Sequence, residues 1–412
     1  MEILNVPALA RRLLAAGVVA GSFVVTLTGT LPAGADERPF TALAVSHLAD
    51  PRPVAGADGR THLVYELSLV NMTRLVVRVD AIEATDGPGG KPLGRLDGDG
   101  LAAVFRINGG DPGVVLGPSQ SALVFMDVAL PAGAPVPAAL GHRIATTRMK
   151  KAAGTDIHKG LPLGPSDGIP AEVTFETAPV GVDARPAIRL SPPLRGPGWL
   201  AANGCCDTIT SHRGGVMAFD GTPYAPERFA IDFVQIDRDH RLATGPIDQL
   251  ASYPYFGVPI HAAADGVVVG LSDGAPERTP GELPTDTTIA NATGNHIVVD
   301  MGAGNFALYA HLKTGTVAVK IGDRVRRGDV IAQLGNTGNT DGPHLHFHVM
   351  DGPSPLSSNG LPYVFDAFTG QGRLQPDDAF FAGKPGALEP GWLAGPHANQ
   401  LPLNNEVVDF GP

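Results

Sequence analysis

The chain has 412 residues, enough for two domains of ordinary size. Its 43% hydrophobic content fits a globular core, while 53 glycines and 38 prolines point to many turns and few long helices, which favours an all-β architecture. The formal charge of −11 is spread without a basic block, and phosphate recognition rests on clustered Lys and Arg, so a nucleic-acid partner is excluded at this level.

Residues 1–35 read as a signal peptide. Arg11 and Arg12 precede the apolar run LLAAGVVAGSFVVTL, and Ala33-Gly34-Ala35 supplies a small-residue cleavage pattern before Asp36. Left uncleaved, the same run would act as an anchor. No later stretch is apolar enough to cross a bilayer, so no membrane span is expected once the signal is removed. The expected location is periplasmic, cell-envelope or extracellular.

Residues 36–183 alternate short apolar segments with turn clusters. THLVYELSLVNM, RLVVRVDAIEAT, AAVFRI and SALVFMDVAL read as strands, separated by turns such as TDGPGGKP and NGGDPG. Regular strand spacing without helical periodicity predicts a β-sandwich, of immunoglobulin-like type. It holds no catalytic constellation and reads as a spacing or binding module. The proline-rich stretch 184–199 is expected as an extended linker.

A second β domain is expected over 200–382, followed by an extended C-terminal tail over 383–412. Two adjacent cysteines, Cys205 and Cys206, are the chain's full complement. They leave four states open: a vicinal disulfide, two free thiols, a link to another chain, or soft metal ligands. Further on, FGVPIHAAADGVVVGL, GNHIVVDMG and NFALYAHL read as strands, and IGDRVRRGDVIAQLGNTG alternates short β segments with Gly-Asp turns.

The chemistry-bearing residues sit on these strands. In GPHLHFHVM, His344, His346 and His348 occupy alternate positions and share one face, with Leu345, Phe347 and Val349 on the other. Asp232 lies in RFAIDF and His311 in YAHL. An aspartate with one or two histidines suits Zn²⁺, and further imidazoles can polarise an attacked carbonyl.

Taken together, VPIHAAADGVV, GNHIVVDMG, YAHL, GDxVxxGxVI and GxTGxTDGPHLHF, in this order, resemble the LytM/lysostaphin-type zinc endopeptidases that cleave peptidoglycan cross-bridges. The resemblance covers about residues 225–352. It implies a lysostaphin-type antiparallel β-sheet domain with Zn²⁺ in a groove, and peptidoglycan or a peptide as substrate. It also implies metal ligation by Asp232 and His346, with His311 and His344 as catalytic residues. The expected function is hydrolysis of peptide bonds by a zinc-activated water. The alternative is a zinc-free member of the same fold that binds cell wall or activates another hydrolase.

One position departs from the family pattern. Four residues before Asp232, where the family has a histidine ligand, stands Arg228, which stays protonated and cannot donate a lone pair. Its charge near the site would oppose a cation. His212 is the candidate replacement: if Asp220-Gly221 makes a two-residue hairpin, Phe219 pairs with Thr222 and the extended ladder sets His212 opposite Phe229. His348, where relatives carry glutamate, is a candidate for orienting a ligand by hydrogen bonding or for serving as an alternative ligand. Tyr309, two residues before His311, is expected on the same face and in the same role. Glu227 is expected to point away from Asp232. His261 and His296 read as satisfied strand residues, and Asp237 with Asp239 as a solvated turn.

Overall fold

The computed structural model describes residues 41–149, 171–206 and 208–412. The expected signal peptide and its cleavage position lie outside the described residues. Among the described residues no helix is long and apolar enough to cross a membrane.

The N-terminal part is built by the predicted alternation. Thr61–Asn71 pairs antiparallel with Ser121–Leu130, in register from Thr61↔Leu130 to Val70↔Ser121. Phe105–Ile107 extends that sheet beside Ser121–Leu130. A second sheet forms around Val77–Thr85 and Ala139–Arg148. Side chains of one parity on each sheet, among them Leu63, Leu67, Val79, Ile144 and Val124, meet in a common core. Two antiparallel sheets sharing one core bury their apolar faces without helices.

The C-terminal part is organised by one large sheet. From one edge its strands run Arg324–Val325, Gly266–Ser272, His296–Asp300, Phe306–Ala310, Leu345–Met350, Ile231–Gln235, Trp199–Ala202, Glu406–Asp409, Phe368–Gln375 and Ala387–Glu389. The histidine strand Leu345–Met350 is therefore central, with Phe306–Ala310 and Ile231–Gln235 as its neighbours. Leu345, Phe347 and Val349 are fully buried in the main core on one face, and the histidines line the other.

Two expectations about connecting segments need correction. The stretch 184–199 is not a free linker: Ile188–Leu190 pairs in parallel with Tyr363–Phe365, and Leu190 and Leu194 are buried in the main core. Nor is 383–412 a tail. Glu406–Asp409 lies between Trp199–Ala202 and Phe368–Gln375, with Val407 and Val408 fully buried. Composition signals extension in both segments, but their few apolar residues are enough to seat them as paired strands against the core. The described residues accordingly pack as one unit.

Candidate metal centre

Register places the site. Asp232 pairs directly with His346, and His346 in turn with Ala310. Directly paired residues project to the same side of a sheet, so Asp232 and His346 meet. His346 Nδ1 lies 3.0 Å from Asp232 Oδ1.

His212 joins them by another route. The hairpin forms as expected, with Phe219 opposite Thr222, but its ladder ends at Met217↔Tyr224. His212 instead sits in a tight turn, nearly buried, where its Nδ1–H donates to the Ala230 carbonyl at 3.1 Å. That bond fixes the ring and directs Nε2 at Asp232 Oδ2, 3.1 Å away. His212, Asp232 and His346 bring their ligand atoms within 4.8 Å of one another.

His344 and His311 complete a five-residue cluster. The Nδ1–H of His344 donates to the Gly342 carbonyl at 2.8 Å, and its Nε2 lies 3.3 Å from Asp232 Oδ1. The Nδ1–H of His311 donates to the Thr337 carbonyl at 2.7 Å. The ring centroids of His311 and His344 are 4.6 Å apart, and those of His212 and His346 4.7 Å. His212, Glu227, Asp232, His311, His344 and His346 all line one cleft of about 460 Å³.

The protonation states follow from this crowding. Burial disfavours charge on His212, but the Asp232 carboxylate outweighs it and holds His212 at about 9. His344 is raised by the same balance. Burial would raise Asp232, yet His212 and His344 hold its carboxyl well below the usual range. His311 goes the other way: burial, reinforced by His344 and His346, keeps it well below an ordinary histidine and therefore neutral.

The donor chemistry fits a metal ion. His212 and His344 both spend Nδ1–H on a backbone carbonyl, so a neutral ring would aim a bare Nε2 lone pair at a carboxylate. Lone pairs facing lone pairs require positive charge between them, from protons or from a cation. Two histidines and one aspartate also form the three-ligand set that leaves a fourth position open in catalytic zinc sites.

Arg228 does not oppose that charge, contrary to the expectation from sequence. Its guanidinium turns away from the cleft to the N-terminal sheets, where Nε and Nη2 donate to the fully buried Glu66 at 2.9 and 2.6 Å. The reason is local: residues 226–229 form a turn rather than a strand, so positions 228 and 232 do not share a face. The same turn corrects Glu227, which faces the cleft with Oε1 3.7 Å from His346 Nε2.

Tyr309 is also corrected. His311 stands one residue beyond the end of its strand with φ of +61°, which breaks the alternation and separates the two side chains. Tyr309 lies on the opposite face, packed on Phe347, and its hydroxyl accepts from Ala263 N–H at 2.7 Å. His348 Nδ1 lies 2.9 Å from His346 Nε2 and outside the three-residue group; its own Nε2 is buried without a partner. Asn203, which the sequence reading passed over, donates to Asp232 Oδ2 at 2.9 Å. An asparagine in a loop carries no motif, so only the folded geometry reveals it.

The remaining candidates behave as ordinary structural groups. His261 Nδ1–H donates to the Gly328 carbonyl and His296 Nδ1–H to the Gly294 carbonyl. Asp237 caps its own turn by accepting from Asp239 and Arg241 N–H. Cys205 and Cys206 are joined by a disulfide, which settles the four open states and removes them from metal binding.

The central antiparallel sheet carries a His/Asp cluster on one face, and residues 251–358 match Peptidase family M23. The chain carries a peptidase M23 domain. Over 102 residues it is 31% identical to peptidoglycan DD-endopeptidase ShyA of Vibrio cholerae, covering 25% of this chain and 20% of that protein. Over 118 residues it is 32% identical to the DD-carboxypeptidase/endopeptidase Mpg of Neisseria meningitidis, covering 27% of this chain and 26% of that protein. The matches thus span about a quarter or less of these relatives' length. Among solved structures, the catalytic domain of lysostaphin from Staphylococcus simulans aligns with 40% of this chain and 86% of its own, at 20% identity and a TM-score of 0.22. The family match contains His311, His344 and His346 but begins after His212 and Asp232.

Proposed function

We propose that the protein is an exported zinc metalloendopeptidase that hydrolyses peptide bonds in peptidoglycan. The observation that carries this reading is the convergence of one ligand atom each from His212, Asp232 and His346 within 4.8 Å, with His311 and His344 beside them in one cleft. The M23 match and the peptidoglycan endopeptidases among the relatives support the substrate class.

His212, Asp232 and His346 would hold the ion. Bound there, zinc would supply a Lewis acid that lowers the pKa of water and polarises a carbonyl. The chain's own groups do the rest. Asn203 and the Ala230 carbonyl fix the orientations of Asp232 and His212. His311, kept neutral by burial and tied at Nδ1 to Thr337, presents Nε2 as the proton acceptor. His344, tied at Nδ1 to Gly342 and favoured in its protonated form by Asp232, offers its Nε2–H to the oxygen on which negative charge develops. His348 accepts from His346 Nε2–H, which leaves His346 Nδ1 bare for the metal.

The test is metal analysis of purified protein together with digestion of isolated peptidoglycan. We expect near-stoichiometric zinc and release of cross-linked peptides, both abolished by chelation and restored by zinc. Protein that takes up no zinc from excess metal would sink the enzyme reading and favour the zinc-free alternative.

A further inference from the structure

The loop that presents His212 is held from outside the family-matched segment. On its inner side, Thr210 Oγ1 donates to the Asn203 carbonyl at 2.9 Å, and Gly214 N–H donates back to the Thr210 carbonyl at 2.9 Å. These bonds close the turn around His212, and the Ala230 carbonyl holds its ring. Further anchors lie on the outer side. Ile209 and Val216, which bracket the turn, pack against the core of the N-terminal sheets.

Arg213, the residue after His212, is almost fully buried. Its Nη1 donates to the carbonyls of Cys206 and Thr208, and its Nη2 donates at 3.1 Å to the Met126 carbonyl on the N-terminal strand Ser121–Leu130. Its guanidinium also stands 5.9 Å from the centre of the Phe125 ring. Arg106, from the neighbouring N-terminal strand, sits 5.5 Å from the same ring, and its Nη1 donates to the Gly214 carbonyl at 2.6 Å. The two residues that follow the candidate ligand, Arg213 and Gly214, are therefore gripped by one N-terminal strand pair. Gly214 is also sized for this contact: a Cβ there would come within 2.4 Å of Arg106 Nη2.

We infer that the N-terminal sheets are a working part of the metal centre, with Arg213, Arg106 and Phe125 as positioning residues that hold His212 in ligand geometry. The inference rests on the proposed metal site. A loop ligand gains affinity when its geometry is set before the ion arrives, because ordering it on binding costs conformational entropy. Guanidinium groups suit the task, since each places several donors in a fixed plane on carbonyls and a ring.

The test compares full-length wild type with Arg213→Lys, Arg106→Gln, Phe125→Leu and Gly214→Ala. Zinc affinity is read by chelator competition, coordination by the visible spectrum of the cobalt-substituted protein, and folding by thermal melts. Arg213→Lys is expected to weaken zinc about 10- to 100-fold, the range found when groups that orient a ligand are changed. It should also alter the cobalt spectrum, and turnover should recover in excess zinc. Gly214→Ala and Arg106→Gln leave every proposed ligand in place and should produce smaller losses of the same sign. They carry the test if Arg213→Lys does not fold. Folded variants with wild-type zinc affinity and an unchanged cobalt spectrum would overturn the inference, whatever their melting temperatures. Wild type that takes up no zinc would instead overturn the proposed function, so the two failures are distinguishable.

Discussion

The two halves of the candidate centre are built by different means. His311, His344 and His346 come from the family-matched segment: ladder register fixes where His346 points, while His311 and His344 stand just beyond the strand ends and are held by bonds to the Thr337 and Gly342 carbonyls. His212 and Glu227 come from turns upstream of that segment, held against the N-terminal sheets. Asp232 joins the halves, since its strand pairs with the histidine strand on one side and Trp199–Ala202 on the other. A sheet is a rigid frame with a period of two, so its half can be read from spacing. A turn has no period, and what it presents depends on what it packs against. In the proposed centre, an arginine occupies the position where the resemblance implies a ligand histidine, and a histidine on the turn side would supply the missing nitrogen.

Breaking the turn-side half should produce the largest effect. Arg228→His removes the partner of Glu66, a fully buried carboxylate. Removing one member of a buried pair destabilises by about 3–5 kcal/mol, to be read from denaturant titration. Because Arg228 faces away from the cleft, zinc affinity should not rise; an increase would mean that position 228 reaches the site.

Next come the ligands themselves. Four-ligand structural zinc sites bind with about 10–16 kcal/mol, so one ligand carries roughly 3–4 kcal/mol, or about 100- to 1,000-fold in affinity. His346→Ala and His212→Ala should each lose that much in chelator competition. A large loss for His346→Ala with none for His212→Ala would reduce the centre to its sheet-built half.

The pH dependence sharpens the comparison further. The metal-free His212 holds its proton up to about 9, against 6.5 when unfolded. Its contribution to metal-free stability is therefore full below 6.5 and lost as pH rises through 9. Zinc must displace that proton, so its affinity should climb about tenfold per pH unit up to about 9 and then level off. His212→Ala should flatten this dependence.

The smallest effect belongs to the other face of the sheet. Tyr309→Phe deprives the Ala263 N–H of its acceptor and should cost about 1–2 kcal/mol in a thermal melt while leaving zinc affinity unchanged. A loss of zinc would return Tyr309 to the site.

Much of the sheet-built half was legible in the sequence. Alternation in GPHLHFHVM separated the histidine face from the core face, and the Asp220-Gly221 hairpin formed in the expected register. The misreadings at the site share one physical origin, the assumption that extended periodicity continues. It stops at 226–229, which turns Arg228 outward and Glu227 inward, and again at His311, whose positive φ separates it from Tyr309. The Arg228–Glu66 pair spans 162 residues of sequence, a separation at which local pattern carries no information. His212 was within reach only because a hairpin register pointed near it; Asn203 had no such pointer.

The place of Glu406–Asp409 bears on the order of events in folding. This strand fills a slot between Trp199–Ala202 and Phe368–Gln375, about two hundred residues after the first of them. Until it arrives, both neighbours present open edges with unsatisfied backbone groups. A chain emerging from its N-terminus onward therefore cannot close the central sheet until residue 409 is free to pair.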